Sequence, residues 1–182
     1  MVIETERLVL RPARIDFAEL SAEFYRRNAR FLAEFEPERE AAFYTKEYQQ
    51  MILLEEIASL SERRAAQFYI FARENSNHLI GKIGLSSMVW GAFCSCFLGY
   101  KMDEAYINRG YMTEAVKAVV DYGFGILGLH RIEANVMPRN LRSLRVLEKC
   151  GFENEGISRK YLKINGVWED HVHMTRLNER GE

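Results

Sequence analysis

The sequence predicts an α+β protein, α/β by a looser definition, built on a central mixed, mostly antiparallel twisted sheet with helices on its faces. Three observations predict it. Strand patterns at 67–73, 79–89 and 94–102 are separated only by turn-rich segments, which makes an antiparallel meander. A long amphipathic stretch opened by Gly110 then leads to RIEANV at 131–136, a crossover long enough for parallel pairing. Two closing strand patterns flank Asn165-Gly166, the residues a two-residue hairpin turn requires.

The bulk properties set the frame for these elements. A chain of 182 residues fits one domain, 1–182, with a real core. Hydrophobic residues make up 48% and charged residues 28%, as in globular proteins. With a net charge of -1, no global field recruits nucleic acid or an anionic membrane, and neither is an expected partner. The opening MVIETERLVLRP carries charges and no long apolar run, so a signal peptide and a membrane span are not expected. Cys94, Cys96 and Cys150 lack metal-ligand spacing, and Cys94 and Cys96 would share one strand face. They read as free thiols of a cytoplasmic protein that holds no metal.

The elements follow in order. RLVLR (7–11) alternates as a strand does, and Pro12 ends it. Asp16 is placed to cap a helix in which Phe17, Leu20, Phe24 and Tyr25 share a face. The segment 31–43 is irregular, acidic and aromatic. Helical spacing resumes over 45–64 through Tyr48, Met51, Ile52, Leu54 and Ile57. After the meander, the helix from Gly110 runs to about Leu127, where Gly128 stops it. A strand at 131–136, a helix from Asn140 to Cys150 stopped by Gly151, and strands at 152–163 and 168–177 complete the chain.

Function is expected at the carboxyl end of the crossover strand, where its backbone meets the start of the next helix. There the chain reads YKMDEAYINRGYMTEAV (100–116), a strand, a turn carrying Asn108-Arg109-Gly110, and a helix. The first N–H groups of a helix lack intrahelical partners and the macrodipole adds positive charge. Glycine allows close backbone approach, so a pyrophosphate fits this turn. Taken alone, a glycine before a helix is also an ordinary entry turn.

The order of the Gly110 turn, the Arg131 strand, Asn140-Leu-Arg-Ser143 and Glu148-Lys-Cys-Gly-Phe152 resembles the GNAT superfamily of acetyl-CoA-dependent N-acetyltransferases. Ile107 stands where that family has a polar residue and Met112 where it has a small one, so only the central glycine of its turn is kept. RGYMTEAV, HRIEANVMPRNLRSLRVLEKCGFENEG and YLKINGVWEDHV are similar to the Rim-type ribosomal-protein-alanine N-acetyltransferases, with the likeness running from about Phe68 to Val172. The resemblance implies a single-domain fold with a splayed parallel strand pair and acetyl-CoA as cosubstrate. The acceptor it implies is the N-terminal alanine α-amine of a ribosomal protein, with a small amine (polyamine or amino-sugar) or a catalytically silent CoA sensor as alternatives. A monomer and a homodimer are both open.

It also implies residue roles. Backbone groups of Gly99, Tyr100, Lys101 and Met102 would bind the pantetheine arm. Asn108, Arg109, Gly110, Tyr111, Met112 and Thr113 would hold the pyrophosphate. Asn140 would reach the cofactor arm or cap its helix, and Ser143 would contact the cofactor and protonate the departing thiolate. Arg139, Arg142, Arg145 and Lys149 form a basic face near the phosphates. An amine attacking a thioester needs modest help in losing a proton and an N–H, from 100–102, to hold the developing oxyanion. Glu133, Glu34, Glu36 and Asp170 are the candidate bases. Glu34, Glu36, Asn135 and Asp170 are the candidate acceptor contacts, with Asn135 orienting a water. Tyr161 could be the acid in place of Ser143 or line the acceptor slot. If Glu34, Glu36, Glu38 and Glu40 border that slot, they suit a cationic acceptor. His171 and His173 share a strand face without a third ligand, so they make no zinc site.

Overall fold

The computed structural model describes residues 1–179; residues 180–182 of the expected 1–182 domain lie outside the described residues. The elements are β1 (Ile3–Glu4), β2 (Leu8–Pro12), α1 (Ala18–Leu32), α2 (Lys46–Ser61), β3 (Ala66–Ala72), β4 (Asn75–Val89), β5 (Ser95–Met102), α3 (Tyr111–Gly125), β6 (Arg131–Val136), α4 (Leu141–Lys149), β7 (Glu153–Ile164) and β8 (Val167–Leu177). The strands form one sheet in the order β1-β2-β3-β4-β5-β6-β8-β7. Six of its neighbouring pairs are antiparallel and β5–β6 is parallel. This is the mixed α+β sheet that the hairpins and the crossover helix predict. Among the described residues, no helix is long and apolar enough to cross a membrane.

The parallel pair is short. β5 and β6 are in register at Ser95–Arg131, Cys96–Ile132 and Phe97–Glu133, and there the pairing stops. β5 itself continues, held by β4 as far as the Gly81–Met102 pair. The outer edge of β5 beyond Phe97 therefore diverges from β6, and the sheet opens there.

Each face of the sheet has its own core. The α3 and α4 side buries Ala115, Val116, Val119 and Val120 against Ile83, Leu98, Ile132 and Ala134. Gly123 allows this close approach, since a Cβ there would meet Ile132 Cδ1 at 2.9 Å. The α1 and α2 side is aromatic: Phe17, Phe24, Tyr25, Phe43, Tyr69 and Phe71 pack with ring centroids as close as 4.7 Å, in tilted and edge-on pairs. Leu20 packs at its edge, so the predicted α1 face is the one buried.

Several local expectations are corrected. Asp16 does not cap α1: it lies in a 3-10 turn, Ile15–Phe17, and its carboxylate takes two bonds from Arg14 at 2.7 and 3.0 Å. Thr45 does cap α2, accepting from Tyr48 N at 3.3 Å. That helix turns a different face inward, however. Leu53 and Gln49 are buried while Met51 and Leu54 are 65% and 59% exposed. A glutamine can go inside here because its Nε2 donates to Phe43 O at 2.7 Å. Pro12 is the last residue of β2, and the two-residue β1 carries no alternation that reveals it.

Cys94 precedes the strand with φ of +43°, so it does not share a strand face with Cys96. Its carbonyl accepts from His130 N and Arg131 N, which anchors the entry to β6. All three cysteines are free, and burial pushes the Cys96 thiol up to about 12.

Candidate active site

The turn before α3 is set by two left-handed residues on either side of Arg109: Asn108 at φ +60° and Gly110 at φ +79°. Asparagine and glycine are the residues that tolerate this region at least cost. The first intrahelical bond runs from Glu114 N to Gly110 O at 3.1 Å. The N–H groups of Tyr111, Met112 and Thr113 thus stand at the open, positive end of the helix. Met112 is buried beneath the turn, so the bulky side chain is absorbed by the core and the entry stays open.

A bracket from the amino-terminal region fixes this turn. Glu114 accepts from Thr5 Oγ1 at 2.6 Å, Arg7 N at 2.8 Å and Arg7 Nε at 2.7 Å, while Arg7 also donates to Arg109 O at 3.0 Å. Burial works against the charged form of Glu114, but these bonds prevail and its carboxyl stays below the usual range. Sequence reasoning missed Thr5, Arg7 and Glu114. A Glu in the first turn of a helix was the visible signal; its partners more than a hundred residues away were not.

A groove of about 480 Å³ starts at this turn and follows the open edge of β5. Gly99, Tyr100, Lys101 and Met102 line it, with Asn108, Gly110, Tyr111, Met112 and Thr113 at one end. Arg109 does not line it; its guanidinium lies over the Tyr106 ring at 5.1 Å. A Cβ on Gly99 would meet nothing within 4 Å, so the strand edge is bare at that point. Arg142, Arg145 and Lys149 of α4 line the opposite wall, whereas Arg139 is drawn away to Glu169 at 2.7 Å. A bare strand edge, an open helix start and three cations fit a long, phosphate-bearing, amide-containing cofactor.

Asn140, at the N-cap of α4, and Ser143, in its first turn, line the groove. Asn140 caps the helix with its side chain, its Oδ1 accepting from Ser143 N at 3.2 Å. The side-chain oxygen is therefore used in the cap and Nδ2 is left for a ligand. Ser143 Oγ lies 2.8 Å from the Tyr100 hydroxyl, which also donates to Ser143 O at 3.2 Å. Burial raises the Tyr100 phenol, so it stays protonated and can keep the serine hydroxyl oriented. Nothing in the residue pattern ties Tyr100 to Ser143, and that contact was not foreseen.

The other face of the gap holds the remaining candidates, and they divide. Glu36 lines the groove, paired with Lys101 Nζ at 2.6 Å. Glu34 is exposed on the loop and does not line it. Asp170 is away from the groove too; its Oδ1 accepts from Lys160 N at 2.8 Å, at an irregularity in β7. Glu133 lies behind the lining, its carboxylate 2.7 Å from Arg131 Nε and 4.0 Å from His173 Nδ1. Arg131 is shared with Glu155, so Glu133 is already held in an ion-pair cluster.

Asn135 does line the groove. Its Nδ2 donates to the Tyr161 hydroxyl at 3.1 Å, and the Tyr161 ring packs on His171 and His173 at 5.4 and 5.1 Å. Tyr161 itself is outside the groove lining. Asn135 and His173 are register partners, and Asn135 Oδ1 and His173 Nε2 are buried with no hydrogen-bond partner among the described residues. Among the described residues, no three or more His, Cys, Asp or Glu side chains group to hold a metal ion.

A family model described as "Acetyltransferase (GNAT) domain" matches residues 7–153. The probable N-acetyltransferase YjcK of Bacillus subtilis (strain 168) is 42% identical over 181 residues, covering 100% of this chain and 99% of the relative. The crystal structure of ribosomal-protein-S5-alanine acetyltransferase from Vibrio fischeri superposes with a TM-score of 0.95 at 33% identity, over 100% of this chain and 99% of that one. Mycobacterium smegmatis RimJ in complex with CoA-disulfide gives a TM-score of 0.89 at 26% identity, over 96% and 83%.

Proposed function

The chain belongs to the GNAT acetyltransferase family and is an acetyl-CoA-dependent N-acetyltransferase; on that premise we propose that its acceptor is the N-terminal α-amine of a protein, a ribosomal protein beginning with alanine. The observation that carries this reading is the opening of the sheet after Phe97–Glu133, which joins the Gly110 groove on one face to Glu36 and Asn135 on the other. Similarity to the ribosomal-protein-alanine acetyltransferase structure over the whole chain supports the choice of acceptor.

Acetyl-CoA supplies an acyl thioester, and the protein positions and polarises it. The N–H groups at 111–113 hold the pyrophosphate, and Arg142, Arg145 and Lys149 meet the phosphates. The edge of β5 at 99–102 bonds the amide-rich arm as an added strand. Asn140 Nδ2 donates to the same arm. An N–H within 100–102 faces the carbonyl oxygen as charge grows on it. Ser143, oriented by Tyr100, gives its proton to the leaving sulfur.

The proton of the incoming amine takes the opposite direction. Glu133 is neutralised by Arg131 and lies outside the groove, which argues against it as the direct base. We assign that step to a water oriented by Asn135, which lines the groove, with the proton leaving through the groove to solvent. An amine with a pKa of about 8 needs only this modest assistance at neutral pH.

Release of free CoA with an alanine-started ribosomal peptide, together with an N-terminal mass gain of one acetyl group, tests the proposal. Turnover confined to spermidine or an amino-sugar would overturn the protein acceptor. Tight CoA binding with no acceptor turned over would identify a sensor instead.

A further inference from the structure

Beside the gap, on the α1–α2 face, lies a second cavity of about 490 Å³ that shares Glu36, Gly99, Tyr100 and Lys101 with the groove. Its charged lining consists of Glu36, Arg39, Glu56, Lys82 and Lys101, three cations against two carboxylates. Both carboxylates are engaged. Glu36 is held by Lys101 at 2.6 Å and faced by Arg39 at 3.8 Å. Glu56 is bound by Lys82 and accepts from the Tyr69 hydroxyl at 2.8 Å. Glu34, Glu38 and Glu40 of the same acidic run do not line the cavity.

The cations are built in. Lys101 Nζ lies 5.2 Å from the Tyr25 ring, Lys82 Nζ 5.1 Å from Tyr69, and Arg39 Cζ 4.8 Å from Phe43. Ring faces hold cations at such distances, and the aromatic core beneath is rigid. The lysine side chains are only 13% and 20% exposed, so solvent screens them less than surface charges. Gly84 and Gly99 are register partners at the mouth toward the gap: Gly99 is bare, whereas the Gln67 side chain lies over Gly84, where a Cβ would meet it at 2.3 Å. An extended chain can pass Gly99 without meeting a side chain there and then reaches the Gln67 amide.

We propose that this cavity takes a carboxylate carried within the first few residues of the acceptor, so the enzyme prefers acidic amino termini over basic ones. The proposal rests on the α-amine reading above: with the amine at the gap, the next residues enter the cavity past Gly99. It also reverses what the acidic run implies in the sequence. Glu36 is consumed by Lys101 and Arg39, and the unbalanced charge is positive.

The test uses the whole protein, acetyl-CoA and three alanine-started hexapeptides identical except for Glu-Glu, Gln-Gln or Lys-Lys at positions two and three. At low salt, kcat/KM is expected to fall in that order, by at least about tenfold from first to last, and to converge at high salt. In Arg39→Gln the spread should shrink several-fold with acetyl-CoA affinity kept. Equal rates for the three peptides, or a preference for Lys-Lys or spermidine, overturn the anionic pocket; equal peptide rates leave the α-amine reading standing. Turnover of free glutamate but no peptide has the opposite meaning, with the pocket kept and the protein acceptor lost. If no acceptor turns over, calorimetry of the Glu-Glu and Lys-Lys peptides with the CoA-loaded protein decides, and equal affinities sink the proposal.

Discussion

The two sides of the gap are made of different materials. On the side proposed for the cofactor, the groove is built largely from backbone: the unpaired edge of β5, the bare Gly99, and the N–H groups behind the two left-handed residues of the turn. On the side proposed for the acceptor it is built from side chains, in ion pairs, hydrogen bonds and ring contacts that run from Glu36 to Lys101 and from Asn135 to Tyr161. Backbone recognition suits a ligand common to a whole family, since it tolerates drift in side chains such as Ile107 and Met112. Side-chain recognition suits the partner that distinguishes one member from the next. Mutation should separate the two.

The largest effect is expected where the backbone itself is blocked. Gly110→Trp places a side chain at φ +79° in the mouth of the helix, 3.4 Å from Arg7 for its Cβ alone. Acetyl-CoA affinity should fall at least about a hundredfold with only modest loss of fold stability; calorimetric titration giving unchanged affinity would displace the pyrophosphate site. Next comes Ser143→Ala, expected to lower kcat about a hundredfold at unchanged acetyl-CoA affinity. A matching loss of cofactor binding would instead make Ser143 a cofactor contact only.

How far the chain could be read before its structure follows the same division. The Gly110 turn, the Asn140 cap, the closing Asn165-Gly166 hairpin and the parallel crossover each depend on local chemistry, and each was visible. Asn165 and Gly166 both take positive φ, as their pair of letters implies. What escaped was contact between distant residues. Glu133 and Asn135 alternate onto the same face of β6, where Arg131, two residues back, engages Glu133; only the register with β8 shows that His173 accompanies Asn135. The α2 face was misjudged because a buried glutamine, satisfied by Phe43 O, is invisible to a pattern of apolar letters. The acidic loop hid its partner in the same way, because Glu36 pairs with Lys101, 65 positions further along the chain.

Two smaller effects sharpen the comparison. Asn140→Ala removes a cap, costing about 1 kcal/mol in thermal or denaturant unfolding, and should weaken acetyl-CoA binding a few-fold. Asn140→Asp should recover stability but not binding, because it keeps the acceptor and loses the Nδ2 donor. Glu114→Gln probes pH. The folded-state carboxyl of Glu114 lies below its ordinary value of 4.5, so its stabilisation is present above that pH and fades as acid is added. The variant should be less stable at neutral pH and lose less on acidification below 4.5. Parallel unfolding curves for the two proteins through that range would refute the bracket's contribution.

That bracket ties events at opposite ends of the chain to one clock. The Arg7 amide donates to a carboxylate 107 positions later, so it is shielded from deuterium only while the amino-terminal strand and the start of α3 are docked. Closing so long a loop belongs late in folding, after the local hairpins. Acetyl-CoA at about a hundred times its dissociation constant would add about 2.7 kcal/mol against global opening. Exchange at that single amide is therefore a remote gauge of whether the turn at Gly110 is assembled.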